Sequence, residues 1–244
     1  MRTILLTIEY DGTAYSGWQT QPNGLAVQQV IEEALYKVAG HTVTIRSSGR
    51  TDAGVHALAM PASFQTDTEL PLSAFVFGTN RHLPPDIAVT DARDVTPDFN
   101  PIRDAKAKKY RYTLFESAVR SPHARFTSWH IRDSLDITAM KRAAMQFTGT
   151  HNFGAFRASN CSAQTSVRRI DSVEIMRDGQ YMYIEVTGSG FLKNMVRIMV
   201  GTLIDIGRHR MAPDSIAYLL QNPDRKKAGV TAPACGLCLV EVFY

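Results

Sequence analysis

Twice in its 244 residues the chain runs through the same succession of hydrophobic periods, and that repetition limits the folds open to it. The first pass opens with alternation over residues 3–9, which sends successive side chains to opposite faces and predicts a strand. A turn at Asp11 and Gly12 follows. Leu25, Val30, Ile31, Ala34, Leu35 and Val38 then recur at helical spacing, and Gly40 stands where a C-terminal stop belongs. Strand-like runs over 42–48 and 57–65 flank the loop 49–55, a second helical pattern covers 72–83, and alternation returns over 86–93. The second pass predicts a strand over 108–116, a helix over 137–147, and strands over 168–176 and 181–187 about an Asp178-Gly179 turn. Helical spacing returns over 191–206, a shorter helix over 213–221, and a closing strand over 238–244. Each pass reads strand, helix, strand, strand, helix, strand. The expectation is an α+β protein of two ferredoxin-like (RRM-like) β-α-β-β-α-β halves with a mostly antiparallel central sheet. The halves share pattern, not visible identity. Pro97, Pro101 and a run of lysines mark the junction, giving expected domains of residues 1–103 and 104–244.

With 44% hydrophobic and 20% charged residues, the chain can bury a substantial core. No apolar run approaches the roughly 18 residues of a membrane span, and the first residues lack a leader pattern, so no membrane partner is expected. Cys161, Cys235 and Cys238 are an odd count in a chain too large to need staples, which favours a reducing cytoplasm. Up to Arg103 there are seven basic and eleven acidic residues, and beyond it twenty and twelve, so the halves carry −4 and +8. That asymmetry fits a polyanion met mainly by the second half, although a solvated basic face would look the same.

The most loaded string is Gly49-Arg50-Thr51-Asp52-Ala53-Gly54-Val55-His56, one carboxylate between glycines and beside a cation in a loop between predicted strands. An ionised carboxylate so placed suits a nucleophile, while an Asx turn capped by Asp52 would use the same residues. In Gly188-Ser189-Gly190-Phe191-Leu192-Lys193-Asn194-Met195-Val196-Arg197, Arg197 falls one helical turn beyond Lys193 on an apolar helix. A buried arginine there calls for an anionic partner, for which Asp52 is the candidate; two side chains snorkelling to solvent is the plainer alternative. Lys193 occupies the last glycine position of a dinucleotide loop, and no acidic ribose ligand follows, so no nucleotide cofactor is expected. Lys106, Lys108, Lys109, Tyr110, Arg111 and Tyr112 interleave cations with aromatics on a strand. Such a strand can stack on bases and meet phosphates, or simply bury its tyrosines. Cys235 and Cys238 have knuckle spacing without a second pair, and no metal site is expected.

Taken together, these motifs resemble the tRNA pseudouridine synthase A family over nearly the whole chain. The resemblance rests on Gly17-Trp18-Gln19 with Gln21-Pro22-Asn23, on the string 49–56, on Lys109-Tyr110-Arg111-Tyr112, and on His151-Asn152-Phe153-Gly154-Ala155-Phe156-Arg157. Gly190-Phe191-Leu192, Met195-Val196-Arg197 and Gly236-Leu237 complete it. It implies the pseudouridine synthase fold and isomerisation of uridine at positions 38, 39 and 40 of the tRNA anticodon arm, by a homodimer with a basic cleft, without cofactor or metal. It places Asp52 on the catalytic aspartate and Tyr110 on the tyrosine that meets the target base. Arg50 and Arg197 join the catalytic set, Arg197 as ion-pair partner, and Lys108, Lys109, Arg111 and Arg157 the substrate-binding set. Arg103 stands one place from the family's arginine and Cys238 replaces an aromatic, which leaves the role of Arg103 open. Two rivals remain from the residues alone: a non-catalytic RNA binder with tandem RRM-like domains, and a metal-dependent phosphodiesterase using Asp11 and Asp52. The first lacks the aromatic-rich RNP string and the second a further acidic or histidine cluster.

Overall fold

A computed structural model describes residues 1–244. They divide into two compact units, Met1–Lys106 with Leu239–Tyr244, and Ala107–Cys238. The sequence puts a single boundary after Arg103.

In the first unit, β1 (Arg2–Tyr10) is buried on both faces and lies centrally. α1 (Val27–Ala39) buries Ile31, Ala34 and Leu35 of the predicted stripe together with Val27, while Val30 and Val38 are half-buried and Leu25, before the helix, is exposed. Gly40 ends it in the left-handed region, φ 76°, its N–H donating to the Tyr36 carbonyl at 2.9 Å. β2 is reduced to Arg46–Ser47, and β3 (His56–Thr66) and β4 (Ile87–Val95) both pair antiparallel with β1. β2 pairs with β3, so the order β4-β1-β3-β2 is that of a split β-α-β unit. The predicted second helix forms as a short helical stretch whose residues Ala74–Gly78 are π-helical. The wider turn seats Phe75 fully in the core, edge-on to Phe64 at 5.4 Å, while Phe77 faces solvent. Arg103, whose role the sequence leaves open, is exposed and tied into the junction turn, donating to Asp104 and to the Asp98 carbonyl, both at 2.7 Å.

The second unit contains β5 (Ala107–Glu116), β6 (Trp129–Ile131), α2 (Ile137–Ala144), β7 (Gly149–Asn152), β8 (Val167–Asp178), β9 (Tyr181–Gly188), α3 (Met195–Gly207) and α4 (Ser215–Gln221). Its order is β5-β9-β8-β7, all antiparallel, with β6 parallel on β5. Asp136 caps α2 by accepting from Ala139 N–H at 2.9 Å. α3 starts four residues later than the apolar spacing predicts, because Asn194 adopts φ 61°. Lys193 therefore lies before the helix, not one turn below Arg197 on it. β10 (Leu237–Phe243) carries the chain back to the first unit, where the ring of Tyr244 meets Phe99 at 5.1 Å.

Candidate active site

Asp52 sits half-buried in the loop between β2 and β3, and the backbone of residues 12–18 holds that loop from one side. Trp18 N–H donates to the Thr51 carbonyl at 3.2 Å, Gly54 N–H to the Tyr15 carbonyl at 3.3 Å, and Val55 N–H closes the turn onto the Asp52 carbonyl at 3.1 Å. Two glycines make this approach possible. Gly17 has φ +96°, and a Cβ on it would lie 2.6 Å from the Thr51 oxygen; a Cβ on Gly12 would lie 2.0 Å from the Val55 oxygen. The hydroxyls of Tyr10 and Thr51 meet at 2.8 Å in the buried floor.

A second set of polar groups lies behind the loop. Buried His56, the first residue after it, receives the Gly12 N–H on Nδ1 at 3.1 Å, and an Asp11 oxygen lies 3.1 Å from the same nitrogen. Partial burial pushes the Asp11 carboxyl up, but hydrogen bonds from the hydroxyl and amide of Thr13 oppose it, and the carboxyl lies below the usual carboxylate range. Tyr15 donates to Asp86 at 2.7 Å, and burial together with that carboxylate raises its phenol well above the usual value. Arg50 is exposed at the loop's entrance.

In the second unit, β5 presents two faces with different tasks. Tyr112 is fully buried and donates to the Pro233 carbonyl at 2.7 Å, and burial raises its phenol strongly. Tyr112 is thus core, while Tyr110, on the same face, is half-buried and edge-on to Phe191 at 5.2 Å. Burial lowers the Lys108 ammonium from its usual value. On the other face Arg111 and Lys109 converge on buried Glu185 of β9, at 2.6 and 3.6 Å, and the Arg111 guanidinium lies 5.5 Å from the ring centre of Tyr183. These two cations already satisfy a carboxylate that the sequence reading overlooks; the sign of it is a lone glutamate inside the apolar run of β9. Arg197 donates from Nε to the Ala232 carbonyl at 2.7 Å and from Nη1 to Asn194 at 3.0 Å. Arg157 reaches the Ala163 carbonyl at 3.4 Å in the loop that follows the Phe147, Phe153 and Phe156 cluster. That loop also carries Cys161. Partial burial opposes ionisation of its thiol, but the amides of Ala163 and Lys193 and the guanidinia of Arg157 and Arg168 lower it below the usual value. No helix is long and apolar enough to cross a membrane.

A carboxylate on a backbone-clamped loop, an aromatic hydroxyl on a sheet and several arginines are compatible with more than one chemistry. The order of motifs along the chain decides between them: residues 6–125 and 143–244 match the family model described as tRNA pseudouridine synthase. The chain belongs to the tRNA pseudouridine synthase A family. Proteins of that name from Pelobacter propionicus, Geotalea uraniireducens and Geotalea daltonii are 64%, 57% and 54% identical to it, each over 100% of both chains. Among solved structures, one titled as a Cbf5-Nop10-Gar1 complex matches with a TM-score of 0.41 and 9% identity, covering 97% of this chain and about half (48%) of that one. As a tRNA pseudouridine synthase the protein is an isomerase, and its substrate is uridine within tRNA. Neither a purely RNA-binding role nor phosphodiester cleavage accounts for a match of this extent.

Proposed function

We propose that the protein converts uridine to pseudouridine at positions 38, 39 and 40 of the tRNA anticodon arm, with Asp52 as the group that engages the ribose. The observation that carries this reading is the clamped loop: its backbone is pinned on both sides of Asp52, at the Thr51 carbonyl by Trp18 N–H and at Gly54 N–H by the Tyr15 carbonyl, which leaves the residue little freedom to retreat from a bound nucleotide. The reaction breaks the bond from ribose C1′ to N1 of uracil, turns the base, and joins C1′ to C5. The proton on C5 leaves and N1 gains one, so no oxidant or reductant enters. A base in a stacked stem must first be flipped out. Asp52 then either attacks C1′ or stabilises the positive charge that develops there, and both roles need the ionised carboxylate.

The remaining residues divide by task. Tyr110, beside Phe191, offers a ring and a hydroxyl to the flipped uracil; Arg50 at the loop entrance keeps the nucleotide's place open. Arg197 joins the catalytic set in this reading, as the candidate ion-pair partner of Asp52. Lys108, Lys109, Arg111 and Arg157 serve the RNA backbone. In this reading the unit around residues 1–103 supplies the nucleophile and the basic remainder supplies most of the grip. The working form is a cytoplasmic homodimer.

Asp52→Asn tests the reading. It keeps size and shape but loses the charge, so single-turnover pseudouridine formation should fall below detection. tRNA affinity should hold or rise slightly, since a negative charge near a polyanion is removed. A capping role predicts the reverse, because asparagine caps turns as well as aspartate does, and an active Asp52→Asn protein would overturn the assignment.

A further inference from the structure

The nitrogen of His56 that faces the Asp11–Gly12 turn has two claimants. Gly12 N–H points at Nδ1 at 3.1 Å with hydrogen-bond geometry, and an oxygen of Asp11 lies at the same distance. One nitrogen cannot serve both. With a lone pair on Nδ1, it accepts from Gly12 and only faces the Asp11 carboxylate; with a proton on Nδ1, it donates to Asp11 and the Gly12 amide loses its acceptor. The Gly12 bond decides between the two, since the peptide plane fixes its hydrogen and aims it at Nδ1, which leaves no room for a second proton on that atom. Asp11 is also engaged elsewhere, accepting from Thr13 N–H at 2.9 Å and from the Thr13 hydroxyl.

The position of Gly12 is not a local matter. Its Cα lies so close to the Val55 carbonyl that an added Cβ would fall 2.0 Å from that oxygen. Val55 in turn closes the turn that begins at the Asp52 carbonyl. The links form a ring: His56 Nδ1 fixes Gly12, Gly12 seats Val55, Val55 shapes the turn carrying Asp52, and the chain returns to His56 one residue later. From this geometry we infer that His56 is a positioning residue for Asp52, acting through the Gly12 amide on the backbone of the catalytic loop. The inference rests on the reading of Asp52 as the reactive carboxylate.

Asparagine and glutamine at position 56 separate positioning from bulk. The amide oxygen of asparagine occupies the place of Nδ1 and can accept from Gly12, whereas glutamine carries its amide one bond further out. In single-turnover assays corrected for folded fraction, His56→Asn should stay within about threefold of wild type. His56→Gln and His56→Ala should fall roughly tenfold to a hundredfold, the scale expected when a reacting group is displaced by about an ångström. tRNA affinity should remain within about twofold of wild type in all three. A purely structural role predicts lower melting temperatures with wild-type rates per folded molecule, and that result would overturn the inference. So would an asparagine variant as slow as the glutamine one. Nitrogen-15 NMR of the wild-type protein gives a check independent of variant folding: His56 Nδ1 should carry the signature of an unprotonated acceptor, and a protonated Nδ1 at neutral pH would contradict it. Failure of the two readings is distinguishable. A full-rate His56→Gln protein beside an inactive Asp52→Asn protein removes only the positioning role, while an active Asp52→Asn protein removes the reading beneath it.

Discussion

Tyr110 and Tyr112 are two residues apart on β5 and face the same way, yet they answer to different physics. Tyr112 is sealed from solvent, and its hydroxyl satisfies the Pro233 carbonyl. Tyr112→Phe should therefore act on stability, by about 1–3 kcal/mol for a buried carbonyl left without its donor, read as a lower denaturant midpoint at unchanged slope. Tyr110→Phe should act on chemistry. It keeps the ring against Phe191 and removes only the hydroxyl, so turnover should fall while tRNA affinity stays near wild type. Equal turnover in Tyr110→Phe and wild type would reduce Tyr110 to a stacking surface. The buried phenols also set an alkaline limit. Burial raises Tyr15, Tyr112 and Tyr244 above the usual 10.0, so in the folded protein they stay protonated after their unfolded counterparts have ionised. Above pH 10.0 the folded state then binds more protons, and stability falls as pH rises. An absorbance titration should show buried Tyr15 and Tyr112 ionising only together with unfolding, and half-buried Tyr244 ionising above the usual value; independent ionisation of Tyr15 or Tyr112 near 10.0 in the folded protein would contradict their burial.

At the scale of elements, α3 shows what holds the arginine that the sequence singles out. Its buried Thr202 donates to the Ile198 carbonyl at 2.9 Å and accepts from Gly229 N–H at 3.0 Å, fastening the segment that leads to Ala232 and thence to Arg197. Thr202→Val is nearly the same shape but leaves the Gly229 amide buried without an acceptor. It should cost about 1–3 kcal/mol, and Thr202→Ser, which keeps the hydroxyl, much less. Thermal or denaturant melts decide it; a Val variant as stable as wild type would mean that water or a shifted loop supplies the acceptor. Where sequence and structure agree, the cause is local. The core of the α1 stripe (Ile31, Ala34 and Leu35), its Gly40 stop, and the strands β1, β8 and β9 are written in neighbouring residues. Where they part, the deciding contacts are distant. The strand expected over 42–48 shrinks to Arg46–Ser47, since only these residues find partners on β3, at Ser63 and Ala62. β6 exists because Leu114 offers Trp129 a parallel partner, which no periodicity announces. The site follows the same division. Asp52, Tyr110 and Arg197 stand out by residue type and motif, but the hold of Gly12 on Val55 and of Glu185 on Arg111 exists only once the chain has folded.

For the whole molecule the question is which of its surplus cations meet RNA. The count of +8 beyond Arg103 treats every lysine and arginine alike, and the structure does not. Arg111 and Lys109 converge on Glu185, Arg177 pairs with Glu116 at 2.7 Å, Arg169 with Asp171 at 2.8 Å and Arg208 with Asp133 at 3.0 Å. A cation already paired gains less from a phosphate, because it must give up or share its carboxylate. Reversing Lys109 to glutamate would also set a second carboxylate beside buried Glu185, so its effect on RNA binding would be mixed with damage to the sheet. Lys106, exposed at the head of β5, is the cleaner probe. Its amide donates to the Phe243 carbonyl at 2.8 Å whatever side chain it bears, so Lys106→Glu should leave the fold intact. If the β5 cluster lies against the tRNA backbone, affinity should fall and the slope of log affinity against log salt should flatten by about 0.7–0.9 for the one phosphate no longer neutralised. Lys109→Gln should do less, since part of its charge is spent on Glu185. Filter binding of tRNA from low to moderate potassium chloride reads both quantities. Unchanged affinity and slope in Lys106→Glu would take the head of β5 off the RNA surface and leave the grip to the arginines around Arg157 and Arg168.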